Sequence, residues 1–162
     1  FPLQIRSKGQ PNMRTNPCAP LIVATMLLTL AGVALAGNDA DEKGIEQAVL
    51  NYVNSIYDLK PELLDRSVSP KLQKLGYMPA QDGSGLQESW MTFDELKDLA
   101  GHLNKDGMFD PETSPRKVTI LEHTQMIATV KLEAAWGIDY IHLTKNSGDW
   151  MIINVIWEMP SH

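Results

Sequence analysis

Apolar residues recur at intervals of three and four positions between residues 45 and 57. The side chains that share this spacing are Ile45, Ala48, Val49, Tyr52, Val53, Ile56 and Tyr57. This period predicts one amphipathic helix of about 18 residues, with its charged residues on the opposite side. Asp39 or Asp41 is expected to cap its start, because an aspartate oxygen accepts hydrogen bonds from free backbone N–H groups. The apolar stripe of residues 45–57 is the strongest helix signal in the chain.

Shorter helical signals follow. Lys60-Pro61-Glu62 predicts a second helix, because proline fits the first helical turn. Ser69-Pro70 predicts a third helical turn, which Gly76 ends as a C-terminal cap.

A polar loop is predicted at residues 79–89, which contain one proline and two glycines. Thr92 and Glu95 then form the pattern of a capping box. The helix that they begin carries the apolar residues Phe93, Leu96, Leu99 and Leu103. Residues 104–115 predict a second loop that ends in prolines.

From Arg116 onward the apolar residues alternate with polar ones, which is the period of a half-buried strand. Strands are predicted around residues 118–120, 126–136, 138–145 and 150–157. Gly137 permits a bend or bulge, and residues 146–149 predict a tight hairpin turn. Helices followed by a four-stranded meander predict an α+β fold.

Residues 1–36 are predicted to consist of an upstream segment and a cleavable secretory signal peptide. An apolar run at residues 21–30 leads to Ala34 and Ala36, which fit a signal-peptidase site, so cleavage is expected after Ala36. A membrane anchor is the alternative, although it needs about 20 apolar residues. Residues 1–12 precede the first methionine. We therefore expect a single exported domain at residues 37–162, in the periplasm or secreted.

The net charge of residues 37–162 limits the kinds of partner that this segment can bind. All 20 acidic residues follow Ala36, whereas three of the 14 Lys and Arg precede it, so the formal net charge of this segment is −9. An acidic surface repels phosphate, which argues against nucleic acid and anionic membranes as partners. The only cysteine, Cys18, precedes the apolar run, so disulfides, thiolate metal sites and cysteine nucleophiles are excluded from the segment.

Four segments carry a resemblance to a known family. Residues 136–145 (WGIDYIHLTK) and 148–157 (GDWMIINVIW) resemble the terminal hairpin of the putative lumazine-binding family, in the nuclear-transport-factor-two-like (SnoaL-like) superfamily. Residues 42–53 (EKGIEQAVLNYV) resemble its first helix, and residues 69–76 extend the likeness. The resemblance implies a cystatin-like cone, with N-terminal helices packed on the concave face of a strongly curved antiparallel sheet around a pocket. It also implies a dimer in many relatives.

Asp139 is the first candidate for chemistry. On a pleated strand it shares a face with Ile141 and Leu143, so its carboxylate is predicted to point toward the core. A carboxylate there must be paired, hydrogen-bonded or raised in pKa. Tyr52 or Tyr57 is expected to face it. The two interpretations are a general base, as the superfamily's ketosteroid isomerases use, and a structural aspartate that ties down a loop or helix end.

Aromatic residues are the candidates for ligand contact. Trp136, Trp157 and Trp90 could stack a planar apolar or aromatic ligand, together with the helix tyrosines and Asp139. The alternative for each tryptophan alone is simple core filling.

The last predicted strand is apolar on both sides, whereas the helices can cover only one. We therefore predict that a second subunit covers the outer face and forms a homodimer. The residues assigned to that contact are Tyr140, His142, Trp150, Ile152, Asn154 and Ile156. The alternative is a chain terminus folded back over the sheet, since a bare apolar patch would be costly.

Metal and cofactor motifs are absent from the sequence. Residues 104–107 resemble part of a calcium loop, but the twelfth position of that register is Thr113 instead of an acid. No cofactor and no metal are therefore predicted. The sequence favours an exported, non-catalytic small-molecule-binding protein; the alternatives are an isomerase, dehydratase or cyclase that uses Asp139, and a ligand-free assembly module.

Overall fold

The computed structural model describes the backbone of residues 19–159 and the side chains of residues 38–159. Packing divides the chain into two units, Phe1–Gly37 and Asn38–His162. The predicted upstream segment 1–12 lies outside the described residues, as do the side chains of the predicted signal peptide and its cleavage site, so export stays a prediction. Within the described range, no helix is both long and apolar enough to cross a membrane.

The first helix, α1, spans Ala19–Tyr57. All seven apolar residues of its predicted stripe are buried, which confirms the amphipathic pattern. The predicted cap is wrong, because the helix continues upstream of Asp39 and Asp41. The Asp41 carboxylate instead accepts hydrogen bonds from the Lys145 ammonium and from the Trp150 indole N–H, the latter at 3.1 Å.

The remaining elements form one sheet with helices on its concave side, which confirms the α+β prediction. A 3₁₀ helix at Pro61–Arg66 precedes the strands. In chain order the elements are β1 (Val68–Pro79), β2 (Leu86–Met91), α2 (Phe93–His102), β3 (Arg116–His123), β4 (Ile127–Ala134), β5 (Gly137–Asn146) and β6 (Asp149–Glu158). The strand order is β2-β1-β6-β5-β4-β3. Every neighbouring pair is antiparallel except β1 and β6, which are parallel.

The predicted helical turn at residues 69–76 is wrong, because this segment is strand β1. Its backbone pairs with β6 on one side and β2 on the other, and those long-range hydrogen bonds outweigh the local Ser-Pro and Gly signals. Gly76 is not a helix cap: a Cβ there would overlap the ring of Trp157, so glycine permits the close packing of that ring. The predicted loop at residues 79–89 is also too long, because strand β2 begins at Leu86.

The predicted capping box of α2 and the predicted turn of the last hairpin are both confirmed. Glu95 accepts a hydrogen bond from the backbone N–H of Thr92 at 2.7 Å, and the Thr92 hydroxyl accepts from the Glu95 N–H, completing the capping box. In the turn between β5 and β6, Ser147 and Gly148 have φ values of 52° and 101°, as a two-residue hairpin with two left-handed positions requires.

A β-bulge in β6 corrects the predicted assignment of faces. Leu143 pairs with Ile152 and His142 with Asn154, so Ile153 is an extra residue on β6. The extra residue reverses the alternation of faces along the strand. Trp150 and Ile152 therefore lie in the core, not on the outer face as predicted, whereas the outer placement of Asn154 and Ile156 is retained.

Candidate functional site

The carboxylate of Asp139 lies on the inner face of the sheet, as predicted. Asp139 pairs with Leu132 on β4 and with Trp157 on β6, and its own side chain is fully buried. The next inward residues of its strand, Ile141 and Leu143, are buried in the same core. An ionised carboxylate at this depth requires hydrogen-bond partners to replace water.

Two aromatic side chains supply those partners. The hydroxyl of Tyr52 donates to Oδ2 of Asp139 at 2.9 Å, and the indole N–H of Trp136 donates to Oδ1 at 2.9 Å. Tyr52 is therefore the helix tyrosine that faces Asp139. Since both carboxylate oxygens accept a hydrogen bond from within the protein, Asp139 lies behind its aromatic neighbours and does not line the cavity described below.

Lys74 completes the cluster from strand β1. Its Nζ donates to the Tyr52 hydroxyl oxygen at 2.6 Å, while only 5% of the residue is exposed. The same nitrogen lies 5.1 Å from the centre of the Trp157 ring and 5.2 Å from that of Tyr52, which favours the cation. The result is a continuous hydrogen-bonded chain from Lys74 through Tyr52 to Asp139, which we call the buried polar chain.

Burial shifts two pKa values in the buried polar chain. Loss of hydration lowers the pKa of the Lys74 ammonium, and the negative charge of Asp139 opposes this shift in part. Burial, reinforced by the charge of Asp139 and the hydrogen bond to it, raises the pKa of Tyr52 well above its ordinary value. At neutral pH the Tyr52 hydroxyl is therefore protonated and donates toward Asp139.

A cavity of about 70 Å³ lies between the helices and the sheet, next to the buried polar chain. Its lining comes from both helices and from four strand or strand-end positions: Tyr52, Ile56, Lys74, Met91, Leu99, Leu103, Trp136 and Trp157. Tyr52, Ile56 and Lys74 form its buried floor, whereas the five other lining residues are partly exposed at its mouth. The surface that lines the cavity is thus almost entirely apolar, although Lys74 and Tyr52 carry polar ends.

The predicted ligand residues divide into three groups. Tyr52, Trp136 and Trp157 line the cavity, whereas Asp139 and Tyr57 lie behind it. The sixth residue, Trp90, lies elsewhere: it pairs with Leu75 on the outer side of the sheet and is 64% exposed.

Tyr57 has a structural role one layer behind the cavity. Its hydroxyl donates to the Pro115 carbonyl at 3.0 Å and accepts from the Ala135 N–H at 2.7 Å, fixing the entry to β3 and the turn after β4. Its ring packs against those of Trp136 and Phe109, with centroids 5.3 and 5.5 Å away. Tyr57 thereby holds Trp136 in place from the rear.

Sequence reasoning missed Lys74 because residues 69–76 were assigned to a helix. In a strand register, Lys74 stands between Leu72 and Gly76 on the inner face, and a lysine in an inward series is unusual. This alternation along a strand is the sequence signal that could have identified Lys74 as a buried residue. Met91, Leu99 and Leu103 were missed as cavity residues because their pattern indicates only a half-buried element.

The outer side of the sheet carries an apolar row, three of whose four residues are exposed. In register across four adjacent strands it consists of Trp90, Leu75, Ile156 and Tyr140. A shallow groove of about 470 Å³ lies along this row, lined by Tyr77, Ile138, Tyr140, Ile156, Trp157, Glu158 and Met159. Beside it, the His142 Nδ1 lies 3.0 Å from the Asn154 side-chain oxygen. We call this surface the outer face.

Among the residues that the structure describes, no group of three or more His, Cys, Asp or Glu is placed to hold a metal ion.

A family model described as "Putative lumazine-binding" matches residues 40–158 of the chain. Among curated proteins, none matches significantly. Several crystal structures are similar in fold. An NTF-2 like protein of unknown function from Silicibacter pomeroyi shares 16% identity, over 76% of this chain and 98% of that one, with a TM-score of 0.60.

Two further structures extend the likeness. A protein of unknown function with a cystatin-like fold from Nostoc punctiforme is 14% identical over 74% of this chain and 91% of that one, at a TM-score of 0.51. A putative scytalone dehydratase from Novosphingobium aromaticivorans is 13% identical over 78% and 89%, also at 0.51. At these identities the similarity shows the NTF2-like, cystatin-like fold and nothing about activity.

Proposed function

Because the chain belongs to the putative lumazine-binding family of NTF2-like proteins, we propose that it is a small-molecule-binding protein whose ligand enters the cavity above Lys74. The observation that carries the proposal is the environment of the Lys74 ammonium. An ammonium has three N–H donors, and among the described side chains Tyr52 is the acceptor that one of them uses. We infer that an acceptor of a ligand in the cavity that Lys74 lines takes a second of these donors.

The lining defines the chemistry of the ligand. An oxygen acceptor suits the Lys74 ammonium, and an apolar or aromatic body suits Trp136, Trp157 and the aliphatic mouth. A cavity of about 70 Å³ accommodates a small molecule, or one end of a larger molecule whose remainder lies in the open mouth. Small aromatic acids and aldehydes, with the acceptor at the buried end, meet both requirements.

A thermal-shift screen with small aromatic acids, flavins and pterins tests the proposal, followed by calorimetry on each compound that raises the melting temperature. K74M should abolish binding, because it removes the buried donor. K71M is the matched control, since Lys71 lies on the same strand but is exposed; it should bind as the wild type does. The proposal would be contradicted if no compound raised the melting temperature, or if K74M bound the compounds as tightly as the wild type does.

Asp139 as a general base receives no support from the geometry. A proton acceptor must reach the substrate directly or through one water, whereas Asp139 accepts from Tyr52 and Trp136 and lies behind the cavity wall. The isomerase, dehydratase or cyclase alternative would have to act through Lys74 or Tyr52.

A second candidate function is a ligand-free assembly module, favoured by the small volume of the cavity. Pockets for drug-sized ligands have volumes of about 300–1,000 Å³, a range that the groove on the outer face reaches and the cavity above Lys74 does not. The exposed row of Trp90, Ile156 and Tyr140 is apolar, as the core of an interface requires. We propose that a second copy of the chain covers it.

The oligomeric state tests this pairing. Light scattering after size-exclusion chromatography should show a dimer for the wild type and a monomer for I156D. T119D is the control, because Thr119 is exposed on the edge strand β3, away from the apolar row. A wild type that stays monomeric at high micromolar concentration would rule out the homodimer without affecting the ligand proposal.

Export is also proposed, on the basis of the apolar run and small-residue site that end at Ala36. N-terminal sequencing of protein from a secreting host should give Gly37 as the first residue. An intact apolar run in the recovered protein would contradict cleavage.

A further inference from the structure

We propose that the groove on the outer face binds small organic cations, of the class in which a quaternary ammonium is attached to an apolar or aromatic body. The groove has a volume of about 470 Å³, which lies within the range of small-molecule sites. It shares one lining residue, Trp157, with the cavity above Lys74. The inference goes beyond the proposed binding function and is tested independently of it.

Strand pairing places a carboxylate and an aromatic ring side by side in this groove. Glu158 on β6 pairs with Tyr77 on β1 and with Ile138 on β5. Two residues earlier on the same face of β6, Ile156 pairs with Tyr140. Tyr140 is thus a diagonal neighbour of Glu158, and such neighbours are about 7–8 Å apart. A cation between them contacts the carboxylate and the ring at once.

The charge of Glu158 is not neutralised by a neighbouring side chain. Among residues 38–159, Glu158 forms no ion pair, and none of the described residues that line the groove is a Lys, Arg or His. The lysines nearby on the outer face, Lys117 and Lys131, both bind Glu133, at 2.9 and 3.2 Å. The acidic net charge of residues 37–162 adds a long-range attraction for cations. The groove therefore complements a positive ligand.

Glu88, the other acid of this end of the outer face, holds the aromatic side of the groove in place. Its two oxygens accept one hydrogen bond each, from the Tyr77 hydroxyl at 3.3 Å and from the Trp90 indole N–H at 3.1 Å. Tyr77 is therefore positioned before a ligand arrives. Because both Glu88 oxygens already accept, the carboxylate that a cation meets in the groove is that of Glu158, which lines it.

The remaining lining suits the carbon atoms of such a ligand. A cation is attracted to the face of an aromatic ring within about 6 Å, and Tyr140, which is 48% exposed, lines the groove. Trp157 serves as a wall, because the Lys74 ammonium already lies 5.1 Å from the centre of its ring. Ile138 and Met159 add exposed apolar surface. A quaternary ammonium fits this lining because its methyl groups are apolar and need no hydrogen-bond acceptor.

The competing occupant is a second copy of the chain, because Ile156 and Tyr140 also belong to the apolar row. A second copy approaches with the same negative net charge, which disfavours the contact, whereas an ammonium neutralises Glu158. The two occupants use the same surface and exclude each other. A bound cation should therefore shift paired protein toward the monomer.

An NMR titration of the isotope-labelled protein with benzyltrimethylammonium chloride tests the site. The amide signals of Tyr77, Tyr140 and Glu158 should shift and saturate, whereas those of Met91 and Leu99, at the mouth of the cavity above Lys74, should not. Benzyl alcohol and phenylacetate carry the same ring without the cation, so each should bind at least about fivefold more weakly. The affinity for the cation should fall as salt is added, because salt screens an exposed ion pair.

Two variants remove the two attractions separately. E158Q keeps the size of the side chain and removes its charge, whereas Y140L keeps an apolar contact and removes the ring. Each should weaken binding of benzyltrimethylammonium about threefold to fivefold. E122Q is the matched control, because Glu122 is exposed on the edge strand β3; it should bind as the wild type does. The dispersion of the amide signals shows that each variant is folded.

Equal affinity for benzyl alcohol, or an affinity that E158Q and Y140L leave unchanged, overturns the cation site. Shifts confined to Met91 and Leu99 also overturn it, because they place the ligand in the cavity. A wild type that light scattering shows to be a dimer, and that stays one in saturating benzyltrimethylammonium, assigns the outer face to a second copy instead. The proposed function of the cavity is judged separately, by aromatic acids whose binding K74M abolishes.

Discussion

The Lys74 ammonium on strand β1 lies 2.6 Å from the Tyr52 hydroxyl on helix α1, and both residues are almost completely buried. This contact joins the main helix to the sheet and brings a cation within one hydroxyl of the Asp139 carboxylate. The same two residues line the cavity, so the interaction that stabilises the core lies at the candidate site.

Removing the Tyr52 hydroxyl should destabilise the fold. Y52F leaves the Lys74 Nζ and one Asp139 oxygen without their shared partner, and unsatisfied buried groups cost about 1–3 kcal/mol each. We expect a loss of roughly 2–4 kcal/mol in the free energy of unfolding, measured by urea denaturation. Y77F is the control, because the Tyr77 hydroxyl reaches Glu88 on the outer side at 3.3 Å. Equal stability of Y52F and Y77F would contradict the importance of the buried contact.

A double-mutant cycle should show that Lys74 and Asp139 are coupled. D139N or K74M alone leaves one charge buried without its opposite, which costs about 3–5 kcal/mol. D139N/K74M removes both charges, so its loss should be smaller than the sum of the two single losses. The exposed Lys97–Asp65 pair, with N and O 2.7 Å apart, is the comparison; its cycle should give under about 1 kcal/mol. Additive losses at Lys74 and Asp139 would show that the two charges do not interact.

Tyr52 should make the protein lose stability at alkaline pH. Its pKa is raised on folding, so above about pH 10 the unfolded chain releases a proton that the folded chain retains. The contribution is complete below the unfolded pKa and is lost as pH rises through the folded pKa. Unfolding free energies measured between pH 8 and 11 should therefore fall more steeply for the wild type than for Y52F. Parallel curves would contradict the raised pKa.

The lowered pKa of Lys74 gives the opposite slope. Between its folded and unfolded pKa values the unfolded chain binds the extra proton, so stability rises with pH in that window. The difference in unfolding free energy between wild type and K74M should therefore shift in favour of the wild type as pH approaches about 10.4. K71M, at an exposed lysine, should show no such shift. A difference that is constant with pH would contradict burial of the cation.

Gly76 should tolerate no side chain, because the Trp157 ring lies where its Cβ would be. G76A is expected to cost about 1–3 kcal/mol through overpacking and to move Trp157 away from Lys74, which tryptophan fluorescence would report. In G101A the nearest atom to the new Cβ, Pro61 Cγ, is 3.9 Å away. That variant should gain up to about 1 kcal/mol, because alanine favours helix more than glycine does. Similar effects at both positions would contradict the packing.

The sequence determined the elements whose signals are local. The three- and four-residue spacing of α1, the capping box of α2 and the Ser147-Gly148 turn each act within a few residues, so helix, cap and hairpin could all be predicted. The inward direction of Asp139 also followed, because the side chains of one short strand alternate strictly. A tyrosine partner on α1 followed from the family likeness, although two candidates stayed open.

Only the tertiary structure decided which strand lies beside β6 and where the register changes. The segment around Lys74 is a strand because β2 and β6 supply its hydrogen bonds from distant parts of the chain. The bulge at Ile153 moves Trp150 and Ile152 into the core, which strict alternation could not indicate. Strand pairing and register depend on residues that are far apart in the sequence. For that reason the inward position of Lys74 could not be predicted from the sequence, whereas that of Asp139 could.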